Sequence, residues 1–213
     1  MGFKLLFLIF FYNFLNTYGF NLCVVGGSSG LGREIIYQAI EKDLKVLTLT
    51  NNPDNIKLPY RGGGLNNKKT NLLLRSCNLK ITNYYNFNSY NFSNIVFTTG
   101  AKPWKDDYSD IITKNILSCE SFNFDNIVLL SAYGVGDSLA DSNIGIKIMN
   151  NLYLQDVYRA KNEQEKMLEN YKIQNPNTKV NILRPKALTY GDSIFIGKSR
   201  ESLASEILDL FDF

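Results

Sequence analysis

The stretch Leu22-Cys23-Val24-Val25-Gly26-Gly27-Ser28-Ser29-Gly30-Leu31-Gly32-Arg33-Glu34 decides how the rest of the chain is read. A short apolar run suited to a buried strand breaks into glycines and serines, and a helical pattern follows at once. The glycines have separate mechanical tasks. Gly26 permits a tight turn off the strand, Gly30 lets the backbone come close to a bound phosphate, and Gly32 lets the helix lie close to the sheet. Free N–H groups and the positive dipole end at the helix start then suit an anion, and Ser28 and Ser29 add hydroxyls. Leu31 completes this candidate cradle.

Outward from this turn, short apolar strands alternate with helical stretches. Residues 21–25, 45–49, 71–75, 94–98, 126–131 and 179–183 read as strands. Residues 31–41, 108–119, about 145–171 (with a break near Asn150-Asn151) and 200–210 read as helices. A short helix and loop fit residues 79–89. The polar stretch 51–69 is too long for a simple turn. This alternation predicts an α/β protein, a three-layer doubly wound parallel sheet in a single domain. In that setting a strand–glycine turn–helix unit is the dinucleotide-binding feature of the Rossmann fold.

The segment Gly26-Gly27-Ser28-Ser29-Gly30-Leu31-Gly32 resembles the glycine motif of short-chain dehydrogenases/reductases, with Val25 where threonine is usual. The remainder resembles the atypical, NAD(P)H-binding NmrA-like group of that superfamily. Leu49-Thr50-Asn51-Asn52-Pro53-Asp54 is similar to its second-strand ending. Leu129-Leu130-Ser131-Ala132-Tyr133-Gly134-Val135-Gly136-Asp137 resembles its fifth-strand segment. Leu183-Arg184-Pro185-Lys186-Ala187-Leu188-Thr189 resembles the Arg-Pro segment after strand six, and Ser199-Arg200-Glu201-Ser202-Leu203-Ala204 the start of its closing helix. The resemblance spans residue 21 to about 210 and implies a nicotinamide cofactor and oxidoreductase chemistry.

A carboxylate about 20 residues past the glycines would hold the ribose 2′-OH of NAD, and a cation there the 2′-phosphate of NADP. This chain has Thr50 and Asn51 instead, so nothing repels a 2′-phosphate, and Arg33 or Lys57 can supply charge. NADP is favoured, with NAD as the alternative. Asn78-Leu79 stands where the group usually places an aspartate near the adenine. Thr99-Gly100-Ala101 after the fourth strand and Arg184-Pro185 after the sixth complete the expected cofactor contacts. Trp104 and Tyr108 suit a pocket wall or ordinary core packing.

The catalytic branch of the superfamily uses a serine and a Tyr-x-x-x-Lys pair. No tyrosine here has a lysine four residues later; Tyr158 and Lys161 are three apart. Lys161 matches the helix lysine of the atypical branch, in a Lys-x-x-x-Glu pattern with Glu165. It reads either as a ligand of nicotinamide-ribose hydroxyls or as half of a solvated helix pair. Ser131 and Tyr133, at the end of strand five, are the candidate catalytic residues with Lys161, and Tyr133 is the candidate proton donor. The expected partner is a small carbonyl, quinone or enone; the alternative is a non-catalytic dinucleotide-binding regulator acting on a protein.

Composition narrows the field further. The chain has no histidine, which removes imidazole acid–base chemistry, imidazole metal ligands and Ser-His-Asp triads. Cys23, Cys77 and Cys119 are too scattered for a metal site or a disulfide framework. A net charge of +3 without a basic run gives no nucleic-acid surface. Residues 1–19 have a basic start, an apolar run and the small residues Thr17 and Gly19. That is the layout of a secretory signal peptide, with an uncleaved anchor as the alternative and no membrane span expected after its removal. Residues 20–213 then form the dinucleotide-binding domain. The expected destination is a plastid reached through the secretory system, which Phe20 after the cut also suggests, or the ER lumen, where Asn91-Phe92-Ser93 would be a glycosylation sequon. The abundance of asparagine is attributed to biased codon usage.

Overall fold

In a computed structural model, the described residues are 18–51, 56, 72–76, 90–100, 105–119, 122–140, 154–189, 197–211 and 213. Most of the expected leader, the predicted 79–89 segment, and Cys77, Asn78, Leu79, Ala101, Trp104 and Lys57 lie outside them.

The strands are β1 (Tyr18–Gly19), β2 (Leu22–Val25), β3 (Val46–Thr50), β4 (Leu72–Ser76), β5 (Tyr90–Asn91), β6 (Asn94–Phe97), β7 (Asn126–Leu130), β8 (Lys179–Leu183), β9 (Leu188–Thr189) and β10 (Lys198–Ser199). The helices are α1 (Gly30–Glu41), α2 (Ser109–Leu117), α3 (Gln155–Gln174) and α4 (Arg200–Asp209). Six strands form one parallel sheet in the order β4-β3-β2-β6-β7-β8. The predicted doubly wound sheet is therefore present, with its strand order reversing between β2 and β6. All six predicted core strands form, most within a residue of their expected ends. α3 ends later than expected, and the part of the predicted helix from 145 to 153, with its break near Asn150-Asn151, lies outside the described residues.

Alternation along β2 explains the three layers. Cys23 and Val25 join Ile95, Phe97, Ile127 and Leu129 beneath α2 and α3, in a core that includes Ile112, Ile116 and Leu168. Leu22 and Val24 join Val96 and Val128 on the opposite face, against Ile35, Ile36 and Ile40 of α1 and Leu203 and Ile207 of α4. Both sheet faces are buried, so the strands read as continuous apolar runs. Among the described residues, no helix is long and apolar enough to cross a membrane.

Two features escaped the sequence reading. β1 pairs in parallel with β5, and Phe20 N donates to Asn91 O at 2.8 Å, so a cut after Gly19 would fall inside this small pairing. An asparagine ladder also crosses the lower end of the sheet. Asn126 Nδ2 donates to Asn94 Oδ1 at 2.8 Å, and Asn94 Nδ2 donates to Asn21 O at 3.0 Å. Both side chains are buried and donate along the ladder, while Asn126 Oδ1 has no partner among the described residues. Asn94→Ala is expected to lower unfolding free energy by about 1–3 kcal/mol, through the groups it orphans. Urea unfolding measures this, and a loss no larger than at an exposed asparagine would deny the ladder its role.

Candidate functional site

Gly30, Leu31 and Gly32 open α1 and Lys161 comes from α3, but most described candidate residues lie at or just beyond the carboxyl end of a strand. The order reversal parts the β2 and β6 crossovers there and leaves a crevice, as in open sheets generally. Gly26 leaves β2 with a φ of +85°, a left-handed geometry that only glycine adopts at little cost. A Cβ on Gly26 would sit 3.0 Å from both Cγ2 and the backbone nitrogen of Thr99, so the turn abuts the end of β6. A Cβ on Gly32 would lie 2.7 Å from Gly26 O and 2.8 Å from Thr98 Oγ1. Gly27, to which the sequence reading gave no task, is as constrained. Its Cβ would overlap Thr48 Oγ1 and come within 2.7 Å of Ile36 Cδ1. Gly30 is the first residue of α1.

Side chains clasp this turn. Thr98 Oγ1 is 2.9 Å from Val25 O and 3.1 Å from Gly26 O, and accepts from Ser29 Oγ at 3.3 Å. Ser29 is the N-cap of α1, its hydroxyl accepting from Gly32 N at 2.9 Å. The Ser29 hydroxyl expected to face a ligand is thus engaged within the turn. Ser28 Oγ accepts from Thr50 Oγ1 at 2.9 Å, joining the turn to the end of β3. Asn51 is exposed beside it. No carboxylate occupies the β3 end at Thr50 and Asn51.

Lys161 reaches the site from α3. It is buried, with Nζ donating to Thr99 O at 2.5 Å, Leu130 O at 2.8 Å and Gln164 Oε1 at 3.0 Å. All three ammonium hydrogens have protein acceptors, so the solvated Lys161–Glu165 pair does not form. Glu165, also buried, instead takes a bidentate grip from Arg184, at 3.0 Å from Nε and 2.9 Å from Nη2. That grip raises the Arg184 pKa further, and fixes the chain after β8 to α3. Burial pulls the Lys161 pKa down to about 8, against the raising influence of Asp107 and Glu165. Gln164 Nε2 continues the network to Thr113 Oγ1 of α2 at 2.6 Å.

Three buried hydroxyl oxygens have no hydrogen-bond partner among the described residues: Ser109 Oγ at the start of α2, and Thr99 Oγ1 and Ser131 Oγ. The last two stand beyond the sheet. They follow the ends of adjacent strands β6 and β7. Lys161 binds the carbonyl of Thr99 itself and that of Leu130, directly before Ser131. Tyr133 is half-buried; its backbone nitrogen donates to Pro185 O at 3.1 Å, and its carbonyl accepts from Tyr158 Oη at 2.7 Å. Burial raises the pKa of Tyr158, whose hydroxyl serves as a prop for the β7 loop. In that loop Gly134 and Gly136 have φ of +92° and +54°. Gly100 is exposed beside Lys161, and Tyr108 is half-buried with its hydroxyl donating to Asp106 at 3.0 Å.

The architecture defines a Rossmann-type protein with a glycine turn at the switch point. No protein-family model and no curated protein matches the sequence. Solved structures share the fold. ChuY, an anaerobilin reductase from Escherichia coli O157:H7, aligns over 89% of each chain with a TM-score of 0.63 and 16% identity. The oxidoreductase ylbE from Lactococcus lactis aligns over 89% of this chain and 84% of its own, with a TM-score of 0.64 and 15% identity. A short-chain dehydrogenase/reductase from Vibrio parahaemolyticus covers 88% and 89%, with a TM-score of 0.57 and 14% identity. The neighbours thus carry the fold that the sequence resemblance implied.

The buried lysine has a measurable signature. Folded Lys161 releases its proton at about 8, while the unfolded chain holds it up to the ordinary value of 10.5. Between those values the unfolded state binds more protons, so stability contributed by this site rises with pH. The unfolding free energy of wild type minus that of Lys161→Met is expected to climb above pH 8. Urea titrations across that range give the difference, and a flat profile would contradict the burial.

Proposed function

We propose that this chain binds a nicotinamide dinucleotide, NADP(H) ahead of NAD(H), and reduces a small carbonyl, quinone or enone. The observation that carries the reading is that two of the three orphaned buried hydroxyls, Thr99 Oγ1 and Ser131 Oγ, follow the ends of adjacent strands, with Thr99 directly against the glycine turn. Unpaired buried polar atoms are costly, and they persist where a ligand completes them. The residues present therefore fit the group. The Gly26–Gly32 turn and the first-turn amides of α1 suit the pyrophosphate. Ser28, Thr50 and Asn51 suit the adenosine ribose, where the missing carboxylate spares a 2′-phosphate from repulsion. Thr99, Gly100 and Ser131 suit the nicotinamide half, with Arg184-Pro185 holding the neighbouring loop.

A reduced dinucleotide held by these residues would supply hydride chemistry. The chain's own share is orientation, water exclusion and delivery of a proton to the carbonyl oxygen. Tyr133 is the donor proposed for that proton, with the Ser131 hydroxyl orienting the oxygen. Lys161, its three hydrogens engaged, acts as a positioning residue that holds the Thr99 and Ser131 backbones in register. The fold shared with a reductase and other oxidoreductases supports this reading.

Fluorescence titration with NADPH, followed by NADPH oxidation against quinones and aldehydes, tests it. Ser131→Ala and Thr99→Val are expected to leave thermal stability equal or higher, since each removes an orphaned group. Each should weaken NADPH binding about two- to tenfold, one hydrogen bond's worth. Stability falling while affinity holds would show that the hydroxyls serve the fold. Tight binding without turnover, unchanged by Tyr133→Phe, would return the non-catalytic regulator.

A further inference from the structure

The segments leaving β7 and β8 continue side by side beyond their strands. Ser131 N donates to Leu183 O at 2.8 Å, and Tyr133 N donates to Pro185 O. One residue further, exposed Lys186 holds its ammonium 5.3 Å from the centre of the Tyr133 ring. The neighbouring cation, Arg184, is already matched by Glu165 at 2.9 Å, with Asp137 3.8 Å away. Lys186 has no carboxylate within ion-pair distance among the described residues. The rim beyond Ser131 thus carries a cation that is unmatched among the described residues and held against an aromatic ring.

We propose that this rim selects the substrate: a flat, conjugated carbonyl compound bearing a single carboxylate. The inference rests on the reductase reading and names its substrate class. The Tyr133 ring offers a wall for a planar molecule. An ammonium over a ring keeps its N–H donors free on the far side, where they can receive an anion. Charge decides between a carboxylate and a phosphate. Lys186 and Arg184 stand against Glu165, Asp137 and Glu169, so the surroundings already hold an excess of negative charge and disfavour a second charge on the ligand. A monoanion pairs with Lys186 alone, whereas a dianion would also meet the almost fully exposed Asp137. A neutral quinone would accept a hydrogen bond from the ammonium but leave its charge unpaired.

The test compares benzoate with benzamide, its neutral isostere, by ligand-observed NMR on wild type, Lys186→Gln and Lys186→Glu at low salt. It also compares 4-carboxybenzaldehyde with benzaldehyde as substrates under NADPH. Wild type should favour the anion about threefold, the scale of an exposed ion pair. The preference should vanish in Lys186→Gln, reverse in Lys186→Glu and fade with added salt. Equal binding of the two probes to wild type, or a preference that survives Lys186→Gln, would overturn the proposal. So would a loss of NADPH affinity in Lys186→Gln, which would assign the lysine to the dinucleotide. The binding comparison needs no turnover. A Lys186-dependent preference without any aldehyde reduction would therefore sink the reductase reading while supporting the anion subsite.

Discussion

A lysine ammonium buried between two strand ends is the constraint on which the site depends. Removing that charge from water is expensive, and three acceptors supplied by the surrounding backbone and Gln164 offset the cost. Those acceptors include the carbonyls of Thr99 and Leu130, so the same hydrogen bonds fix the backbone around the two orphaned hydroxyls. Because Gln164 carries the network on to Thr113, the packing of α3 on α2 is tied to the geometry at the crevice.

A second clasp works from the other side of the order reversal. Thr98 joins the turn after β2 to the end of β6, and Ser29 and Thr50 complete it. These hydroxyls lie at the ends of β6 and β3, just where the glycines forbid side chains. The arrangement leaves hydroxyl capacity unused at Thr99, Ser109 and Ser131, two of which follow the ends of adjacent strands. Such a local departure from full hydrogen bonding marks a place built for something other than stability.

Much of this was legible in the residues. The runs at 21–25, 45–49, 71–75, 94–98, 126–131 and 179–183 read as strands, and in the central ones burial on both sheet faces removes any need for alternation. The Gly26–Gly32 turn was legible because only glycine tolerates its geometry. Ser131 and Thr99 were legible through their positions after strands. Lys161 was not, since Lys-x-x-x-Glu has the same spacing whether solvated or buried. Glu165 turned out to face Arg184, 19 residues away, and no local pattern announces that choice. Gly27 escaped for a similar reason: its constraint comes from Thr48 on the next strand.

By itself, then, the sequence determined the class of fold and the position of the glycine turn, since both follow from local steric limits and from the period of apolar residues. Tertiary structure alone decided which polar side chains were consumed by the protein and which were left over. That division depends on burial and on partners brought together from distant strands. It separates Ser29, Tyr158 and Lys161, whose hydrogen-bonding groups are engaged within the fold, from Thr99 and Ser131, whose hydroxyls are not.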